Sequence, residues 1–339
     1  MTVNRRFLLA RRPQGDPVPQ DFQLQESEIP TPPTGCFVVR NHFASLDPAQ
    51  RGWMDDAPSY MPPIALGDPI RATTVGVVHS SANDEYKIGD WVLCLTGIEE
   101  YSLVEPGHFT AKLDVSGVPS PSYFLSGMGA VGLTGYFGLL EVGQPEPGQT
   151  VLVTGAAGAV GSVVGQIAKI KGCRTIGIAG GAKKCARLIK DYGFDVAIDY
   201  RGKTMDQLAE EIRVAAPNGV NIIFENVGGD ILDAGLMNLA NKARIILCGL
   251  ISEYNNKEGR TGARNIWQLI VHQATMHGFL IMDYAPRFHE AGLQIAQWLS
   301  EGKLRIDEHV EHGIENAYPA FMKLFSGQNE GKMILQLVD

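Results

Sequence analysis

The residues of this chain best suited to binding chemistry are the small residues of the segment Gly155–Gly161. This segment reads Gly-Ala-Ala-Gly-Ala-Val-Gly and follows the apolar stretch Thr150–Thr154. The first N–H groups of a helix and the positive end of its dipole bind phosphate, and small residues allow close approach. Because Ala156 replaces the first glycine of G-x-G-x-x-G, the motif alone also fits an ordinary tight turn. The candidate pyrophosphate-binding residues are Gly158, Ala159, Val160 and Gly161.

The next apolar stretch, Thr175–Ala179, ends without the acidic residue that NAD-specific sites use to bind the ribose 2′-hydroxyl. Gly180 and Gly181 follow instead, and then Lys183 and Lys184. A carboxylate would repel a 2′-phosphate, whereas a lysine attracts it. Lysines in a first helical turn oppose the helix dipole, which favours a functional reason over a merely solvated helix start. The sequence therefore favours NADPH over NADH.

Strand, glycine turn, helix and strand form the βαβ unit that must position these residues. Further apolar stretches at 195–200, 221–229 and 243–249 alternate with helical patterns at 183–192 and 205–215. This alternation predicts a doubly wound parallel sheet, the Rossmann arrangement. Ligands of such sheets bind beyond the carboxyl ends of the strands. The residues expected there, besides the glycine turn and Lys184, are Gly181, Tyr200, Asn226–Gly229 and Gly249–Tyr254.

Residues 1–125 form a second region, in which short apolar stretches are separated by turns rich in Gly and Pro. This pattern predicts a separate β-rich domain with a barrel-like or rolled sheet. The tail, 332–338, alternates as a strand does and is expected to return to this domain. The predicted domains are 1–126 with 300–339 for the β-rich domain, and 127–299 for the nucleotide-binding domain.

Composition excludes several classes of function. The net charge is −8 and Lys and Arg form no basic stripe, so nucleic-acid binding is not expected. No run approaches the ~20 apolar residues of a membrane helix, and the short apolar core Phe7–Ala10 is no secretory signal. The five cysteines form no C-x-x-C pair. These features predict a soluble protein of the reducing cytoplasm, without disulfides or a thiolate zinc cluster.

Several motifs occur together and give the chain a family resemblance. They are Gly158–Gln166, Gly177–Gly181, Phe224–Gly229, Cys248–Asn255, Gly278–Tyr284 and Gly331–Met333. Over nearly its whole length the chain resembles the zinc-independent medium-chain dehydrogenase/reductases, in the branch of prostaglandin, plant alkenal and bacterial curcumin-type reductases. The resemblance implies a GroES-like catalytic domain, a Rossmann domain, NADPH and usually a homodimer. It also implies reduction of the carbon–carbon double bond of α,β-unsaturated ketones or aldehydes.

The resemblance assigns roles to individual residues. Lys184 matches the lysine that binds the 2′-phosphate, Tyr200 a tyrosine that packs near it, and Asn226 an asparagine that contacts the cofactor. Asn329 matches an asparagine that reaches the cofactor from the last segment. The residues implied to lie beside the nicotinamide are Cys248, Gly249, Leu250, Ile251, Ser252, Tyr254, Phe279, Leu280 and Ile281.

Hydride transfer to the β-carbon of an enone builds negative charge on the carbonyl oxygen and requires a proton at the α-carbon. A tyrosine hydroxyl suits either requirement. Tyr254 is the first candidate and Tyr60, in a loop that the family places over the substrate, is the second. The ribose 2′-hydroxyl and water remain alternative proton sources.

No metal site is expected. The positions of the zinc ligands in zinc alcohol dehydrogenases read Phe43–Pro48 and Gly67-Asp68-Pro69 here, without the cysteine and histidine. The remaining histidines of this region are scattered without ligand spacing. They are His42, His79 and His108.

Two departures from the family pattern bear on the substrate. Ala49 stands where the family often has a tyrosine, and Gly129-Ala130-Val131-Gly132 stands where it has Gly-Met-Pro-Gly, which suggests a roomier or reshaped pocket. Quinone reduction, oxidation of a hydroxy-lipid, and NADPH binding without catalysis therefore remain open.

Overall fold

The computed structural model describes residues 3–107 and 109–338. The chain divides into two compact units. The first unit comprises Met1–Leu125, Glu308–Asn329 and Met333–Asp339, and the second comprises Ser126–Asp307 and Glu330–Lys332. Residues 300–307, which the sequence interpretation assigned to the β-rich domain, lie in the second unit.

The N-terminal part of the first unit is made of antiparallel strands. Its elements are β1 (Asn4–Leu9), β2 (Phe22–Ser27), β3 (Phe37–Ser45), helix α1 (Ala49–Trp53), β4 (Arg71–Ser81), β5 (Trp91–Gly97), β6 (Tyr101–Val104) and β7 (Thr110–Lys112). Strand β1 pairs with β2, while β3, β4, β5 and β7 follow one another across a larger sheet and β6 also pairs with β3. This part of the chain confirms the expected β-rich domain.

The second unit alternates helices and strands. Its elements are α2 (Ala130–Phe137), β8 (Thr150–Val153), α3 (Ala159–Ile170), β9 (Arg174–Ala179), α4 (Ala182–Lys190), β10 (Val196–Asp199), α5 (Met205–Ala215), β11 (Val220–Glu225), α6 (Gly229–Leu236), β12 (Leu239–Leu247), α7 (Trp267–Val271), β13 (Thr275–Gly278) and α8 (Phe288–Ser300). The sheet order is β10-β9-β8-β11-β12-β13 and every pairing is parallel. This is the Rossmann order, and it confirms the expected fold.

Strand β8 shows why the sequence folds in this way. All four of its residues are buried, and successive side chains of a strand point to opposite faces. Val151 and Val153 pack with α3 residues such as Val164, while Leu152 packs on the other face with α5 residues such as Ile212. A strand covered on both faces is therefore apolar throughout, and it can only lie in the middle of the sheet.

The direction of the strand order reverses at β8, which has β9 on one side and β11 on the other. The ends of β8 and β11 therefore open the crevice in which sheets of this type bind ligands.

The C-terminal segment adds β14 (Glu308–His312), α9 (Ala317–Ser326) and β15 (Lys332–Gln336). Strand β15 pairs antiparallel with β3, with Ile334 opposite Ser45, so the tail is a strand of the first unit's sheet as its alternation predicted. None of the helices within the described ranges combines the length and apolar character needed to cross a bilayer.

Candidate active site

The glycine turn, residues 155–161, connects β8 to the first turn of α3. Gly158 is the extended residue at the N-terminus of the helix, and residues 158–160 are half-buried. The Gly158 N–H donates to the Gly155 carbonyl oxygen at 2.9 Å, which closes the turn. A Cβ on Gly161 would lie 2.5 Å from the carbonyl oxygen of Gly155, so a larger residue would push the turn apart. Ala156 is fully buried, and its N–H donates to the carbonyl oxygen of Ile178 at 3.0 Å. The turn thus accommodates its departure from the usual motif.

A second segment of the chain lies beside this turn. Gly331 forms an isolated β-bridge with Gly158, and Glu330–Lys332 belong to the second unit although the residues around them do not. The carbonyl oxygen of Asp307 accepts the N–H of Lys332 at 2.9 Å. The sequence motif Gly331–Met333 gave no indication of this bridge.

Lys184, Tyr200 and Arg201 form a polar group at the ends of β9 and β10, which we call the Lys184 cluster. The Tyr200 hydroxyl and the Arg201 Nε lie 3.0 and 3.1 Å from the position that a Cβ on Gly180 would occupy. Burial, and next the charge of Arg201, lower the pKa of the half-buried Lys184. Two cations therefore lie close enough to repel one another. Arg201 was not singled out from the sequence.

Lys183 is placed differently from its neighbour. Its ammonium group pairs with the carboxylate of Glu330, and its side chain is 77% exposed. Of the two lysines noted in the sequence, Lys184 is the one whose charge interacts with Arg201.

One carboxylate close to Arg201 accepts hydrogen bonds from the backbone. Asp199, the last residue of β10, accepts the N–H of Gly181 at 2.7 Å and the N–H of Arg201 at 3.0 Å. Although burial raises the pKa of Asp199, these two hydrogen bonds hold it below its usual value. The charge of Arg201 also lowers the pKa of Asp199, while the Glu330 carboxylate opposes the lowering of the pKa of Lys184.

Asn226 and the loop 248–254 follow β11 and β12. The N–H of Asn226 donates to the Thr154 hydroxyl at 2.8 Å, and its Nδ2 donates to the Thr154 carbonyl oxygen at 2.7 Å. Ile251 donates its N–H to the Asn226 carbonyl oxygen, and Ser252 donates both N–H and hydroxyl to that of Val227. These bonds tie the loop to the end of β11.

Tyr254 ends this loop and folds back on it. Its hydroxyl oxygen accepts the N–H of Leu250 at 3.2 Å and lies 3.1 Å from the position of a Cβ on Gly249. Burial, the largest effect, raises the pKa of Tyr254. The hydroxyl therefore keeps its proton at neutral pH, and that proton is directed away from Leu250.

Phe279, Leu280 and Ile281 follow β13. The Phe279 ring packs edge to face on Phe224, with ring centroids 6.4 Å apart, so its side chain belongs to the core of the sheet. Leu280 is exposed and Ile281 begins a 3-10 turn that runs to Arg287. Phe279 as a whole is half-buried.

Two candidate residues lie in the first unit. The Tyr60 side chain is 55% exposed and packs edge to face on Trp53, with ring centroids 6.2 Å apart. Asn329 is buried. The other candidates, from the glycine turn to Ile281, share the second unit and lie at or beyond the carboxyl ends of its strands.

Comparison with known proteins identifies the family. Two family descriptions match, "N-terminal domain of oxidoreductase" over residues 5–112 and "zinc-binding dehydrogenase" over residues 159–298. The NADPH-dependent curcumin reductase of Escherichia coli (strain K12) is 41% identical over 339 residues, covering 98% of this chain and 97% of that protein. The NADP(+)-dependent 2-alkenal reductase of Nicotiana tabacum is 37% identical over 338 residues, with coverages of 98% and 97%. The crystal structure of CurA in complex with NADPH from Vibrio vulnificus has a TM-score of 0.92 and 43% identity, covering 99% of each chain.

This chain belongs to the zinc-independent medium-chain dehydrogenase/reductases. It is an NADP-dependent oxidoreductase, and its cofactor is NADPH. The donor groups of the second unit fit that cofactor. Two cations and a hydroxyl lie together where a NAD-specific enzyme has a carboxylate, and the half-buried start of α3 offers N–H groups to a pyrophosphate.

The second family description mentions zinc, but two histidines of the first unit pack against aromatic rings. His42 packs on Trp91 and His79 on Tyr101, with ring centroids 5.0 and 5.1 Å apart. His108 lies outside the described residues. Within residues 3–107 and 109–338 no group of three or more His, Cys, Asp or Glu side chains is placed to hold a metal ion.

Glu225 is a further residue of the oxidoreductase that the sequence interpretation quoted in a motif but gave no role. It is fully buried at the end of β11, directly before Asn226. Burial, and next the Glu225 carboxyl, raise the pKa of the Cys248 thiol to about 12, so this cysteine stays a thiol rather than a thiolate. A buried Glu is rare unless its oxygens are hydrogen-bonded, and that rarity was the one available signal in the sequence.

Proposed function

We propose that the enzyme uses NADPH to reduce the carbon–carbon double bond of α,β-unsaturated ketones and aldehydes. The observation that supports this proposal most is the substrate named in its relatives. Curcumin and 2-alkenals differ in size and shape, but both contain a C=C bond conjugated with a carbonyl group. An enzyme that is 41% and 37% identical to reductases of these compounds is expected to act on the same group.

The cofactor contacts are part of the proposal. Residues 158–161 hold the pyrophosphate through backbone N–H groups, and the Lys184 cluster with Gly181 holds the 2′-phosphate. Asn226, the 248–254 loop and residues 279–281 form the surroundings of the nicotinamide within the second unit, and Asn329 is proposed as a further cofactor contact. When bound, NADPH supplies the hydride.

The protein has to stabilise charge and provide a proton. As the β-carbon is reduced, negative charge grows on the carbonyl oxygen of the substrate, and donors aimed at that oxygen lower the barrier. Tyr254 suits this role because its raised pKa keeps the hydroxyl protonated and its oxygen already accepts the Leu250 N–H. We assign Tyr254 as the first candidate for this donor and Tyr60 as the second.

We also propose a homodimer that works in the cytoplasm. The open edge of the second unit's sheet and exposed apolar residues near it support the dimer, and five free thiols fit a reducing compartment.

The test is a substrate panel. Purified enzyme and NADPH are mixed in separate reactions with a 2-alkenal, an aryl enone, a quinone, or no substrate. In a further reaction the enzyme is mixed with NADP⁺ and a hydroxylated lipid. We expect loss of NADPH absorbance with the alkenal and enone, together with a product that mass spectrometry shows to be two hydrogens heavier. Faster turnover of the quinone would indicate a quinone reductase instead, and oxidation of the hydroxy-lipid would indicate a dehydrogenase of such lipids. NADPH binding without turnover would indicate a protein that binds NADPH without catalysis.

A further inference from the structure

Glu225 joins three backbone segments at the crevice between β8 and β11. Its Oε1 accepts the Thr154 hydroxyl at 2.9 Å and the N–H groups of Val227 and Gly228 at 2.5 and 2.7 Å. Thr154 follows β8, whereas Val227 and Gly228 form the turn after β11. One carboxyl oxygen therefore fixes the ends of the two strands at which the strand order reverses.

The main chain of Glu225 makes the third connection. Its carbonyl oxygen accepts the N–H groups of Cys248 and Gly249 at 3.0 and 3.1 Å. These residues begin the 248–254 loop, which ends in Tyr254. The position of Glu225 thus sets both the turn 226–228 and the start of the loop proposed to surround the nicotinamide.

The second carboxyl oxygen of Glu225 is unusual. Oε2 is buried and has no hydrogen-bond partner among residues 3–107 and 109–338. Burial raises the pKa of this carboxyl, against four hydrogen bonds in its surroundings that lower it. A buried carboxyl with one unpartnered oxygen costs stability, whereas its other oxygen is the acceptor for the Thr154 hydroxyl and for the Val227 and Gly228 N–H groups.

We propose that Glu225 is a positioning residue for hydride transfer, which acts through Thr154, the turn 226–228 and the 248–254 loop to hold the nicotinamide half of the cofactor. The adenosine half, at α4 and the Lys184 cluster, shares none of these hydrogen bonds. This inference rests on the proposed cofactor contacts but not on the proposed substrate.

A structural and a positioning role differ in what they predict for the two halves of the cofactor. Loss of a structural acid loosens the whole sheet and weakens every ligand together. Loss of a positioning acid weakens ligands that reach the 248–254 loop, while a ligand confined to the adenosine half keeps its affinity.

The test uses Thr154→Val, which removes the hydroxyl that donates to Glu225 and accepts from Asn226 at nearly constant volume. Thr154→Ser is the rescue variant, because it keeps the hydroxyl. Glu225→Leu removes the acceptor oxygen, whereas Glu225→Gln keeps one. Dissociation constants for NADP⁺ and for adenosine 2′,5′-bisphosphate are measured by calorimetry, together with kcat, KM for NADPH and Tm.

We expect Thr154→Val to weaken NADP⁺ by about 5- to 30-fold, as leaving buried partners unsatisfied does, and to lower kcat. The affinity for adenosine 2′,5′-bisphosphate should change less than about twofold, because none of its contacts is lost. Glu225→Leu should weaken NADP⁺ binding and lower kcat at least as much. Thr154→Ser and Glu225→Gln should keep most of the wild-type NADP⁺ affinity. The Thr154 pair tests the proposal even where Glu225→Leu does not fold.

The matched control is Asp195→Asn. Asp195 accepts the Thr175 N–H and pairs with Lys169, both at 2.8 Å. It lies at the amino-terminal ends of β9 and β10, whereas Glu225 lies at the carboxyl end of β11. Asp195→Asn should lower Tm, and it should change the dissociation constants for NADP⁺ and adenosine 2′,5′-bisphosphate by the same factor.

Equal weakening of both ligands by Thr154→Val, or unchanged NADP⁺ affinity and kcat, would overturn the positioning role. A wild-type enzyme that binds both ligands but reduces no enone would overturn the proposed function alone, because the binding measurements stand without a substrate.

Discussion

At the scale of single residues, the position of Arg201 next to Lys184 is the feature that most directly supports the proposed 2′-phosphate site. Like charges held together in a folded protein raise its energy unless an anion lies between them. The Asp199 carboxylate accepts the backbone N–H groups of Gly181 and Arg201, and the charge of Arg201 contributes to its lowered pKa. We propose that the 2′-phosphate of NADPH supplies a further anion to these cations.

We therefore predict that Arg201→Gln raises the KM for NADPH by about 5- to 30-fold, the loss expected for one charge-assisted hydrogen bond at a partly exposed site. The KM for NADH should not change, because NADH has no 2′-phosphate. The measurement is kcat/KM with both cofactors at two salt concentrations, and the wild-type preference for NADPH should shrink as salt screens the cations.

Lys183→Gln is the control for this prediction. Lys183 is also a cation and is adjacent to Lys184 in the sequence, but it pairs with Glu330 and is mostly exposed. Its loss should change the preference for NADPH by less than about twofold, as expected for an exposed pair. An equal effect of the two substitutions would mean that general positive charge, rather than Arg201, selects the phosphate.

The second prediction at this scale concerns Tyr254. Tyr254→Phe should lower kcat by about 10²-fold or more if the hydroxyl acts as general acid, with NADPH affinity changed far less. Because burial raises the pKa of Tyr254, its acid form persists at pH 6–9, and the wild-type rate should fall only above the ordinary tyrosine pKa of 10.0. Turnover that is unchanged in Tyr254→Phe would discard the assignment and leave Tyr60, the ribose hydroxyl or water.

Lys184 and Tyr200 could be singled out from the sequence because they follow predicted strands and match positions of the family pattern. Arg201 and Glu225 could not. Arg201 follows a strand, where a basic residue is usually solvated, and only the approach of its side chain to Gly180 distinguishes it. Glu225 reads as a polar strand end until its burial and the three donors to Oε1 are known.

At the scale of elements, Asp307 connects α4 to the chain that leaves the second unit. Its Oδ2 accepts the Arg187 guanidinium and the Tyr192 hydroxyl, each at 2.7 Å, and Arg305 binds its Oδ1 at 2.9 Å. Burial alone would raise the pKa of Asp307, but these hydrogen bonds hold it below its ordinary value of 3.8.

Asp307→Asn should therefore lower the free energy of unfolding at neutral pH by about 1–3 kcal/mol, the usual cost of removing a charged hydrogen-bond partner. A lowered folded-state pKa gives stability that is complete above the unfolded-state pKa and is lost as the pH falls through the folded-state value. The difference in Tm between variant and wild type should be constant from pH 8 to 6 and should narrow below about pH 4.

The exposed pair of Glu210 and Arg213 on α5 provides the control. Glu210→Gln also removes a carboxylate that binds an arginine, but both side chains are solvated and the change in Tm should be small. A pH-independent difference for Asp307→Asn would mean that lost packing, not the lowered pKa, is responsible.

Elements buried on two faces were predictable, and those at edges were not. The strands β8, β9 and β10 and the helix α5 lie where their apolar patterns predicted them. Strand β13 was missed because Thr-Met-His-Gly is short and mostly exposed at the edge of the sheet, which leaves no apolar run to detect. Helix α4 was predicted to reach residue 192 but ends at Lys190, because Gly193 turns the chain with a positive φ of 70°.

At the scale of the whole molecule, the surface around β13 suggests a second copy of the chain. Strand β13 pairs with β12, and among the described strands no other element pairs with it, so one row of backbone groups is left open. Exposed apolar side chains lie in the segments before and after it. They are Ile266, Trp267, Ile270, Val271, Leu280 and Met282. An open strand edge beside apolar side chains of this kind is typical of an interface.

We predict that light scattering gives about twice the chain mass of 36.8 kDa, as a two-fold dimer requires. Trp267→Glu combined with Ile270→Glu should give monomers, because the two residues are 65% and 66% exposed and each would bury a charge in the interface. Val214→Glu is the matched control, since Val214 is an equally exposed apolar residue on α5 of the same unit. A monomeric wild type would show that this surface serves another purpose. A dimer that persists in the double variant would place the interface elsewhere on the chain, and the open edge of β13 would then need to be protected by its exposed polar residues alone.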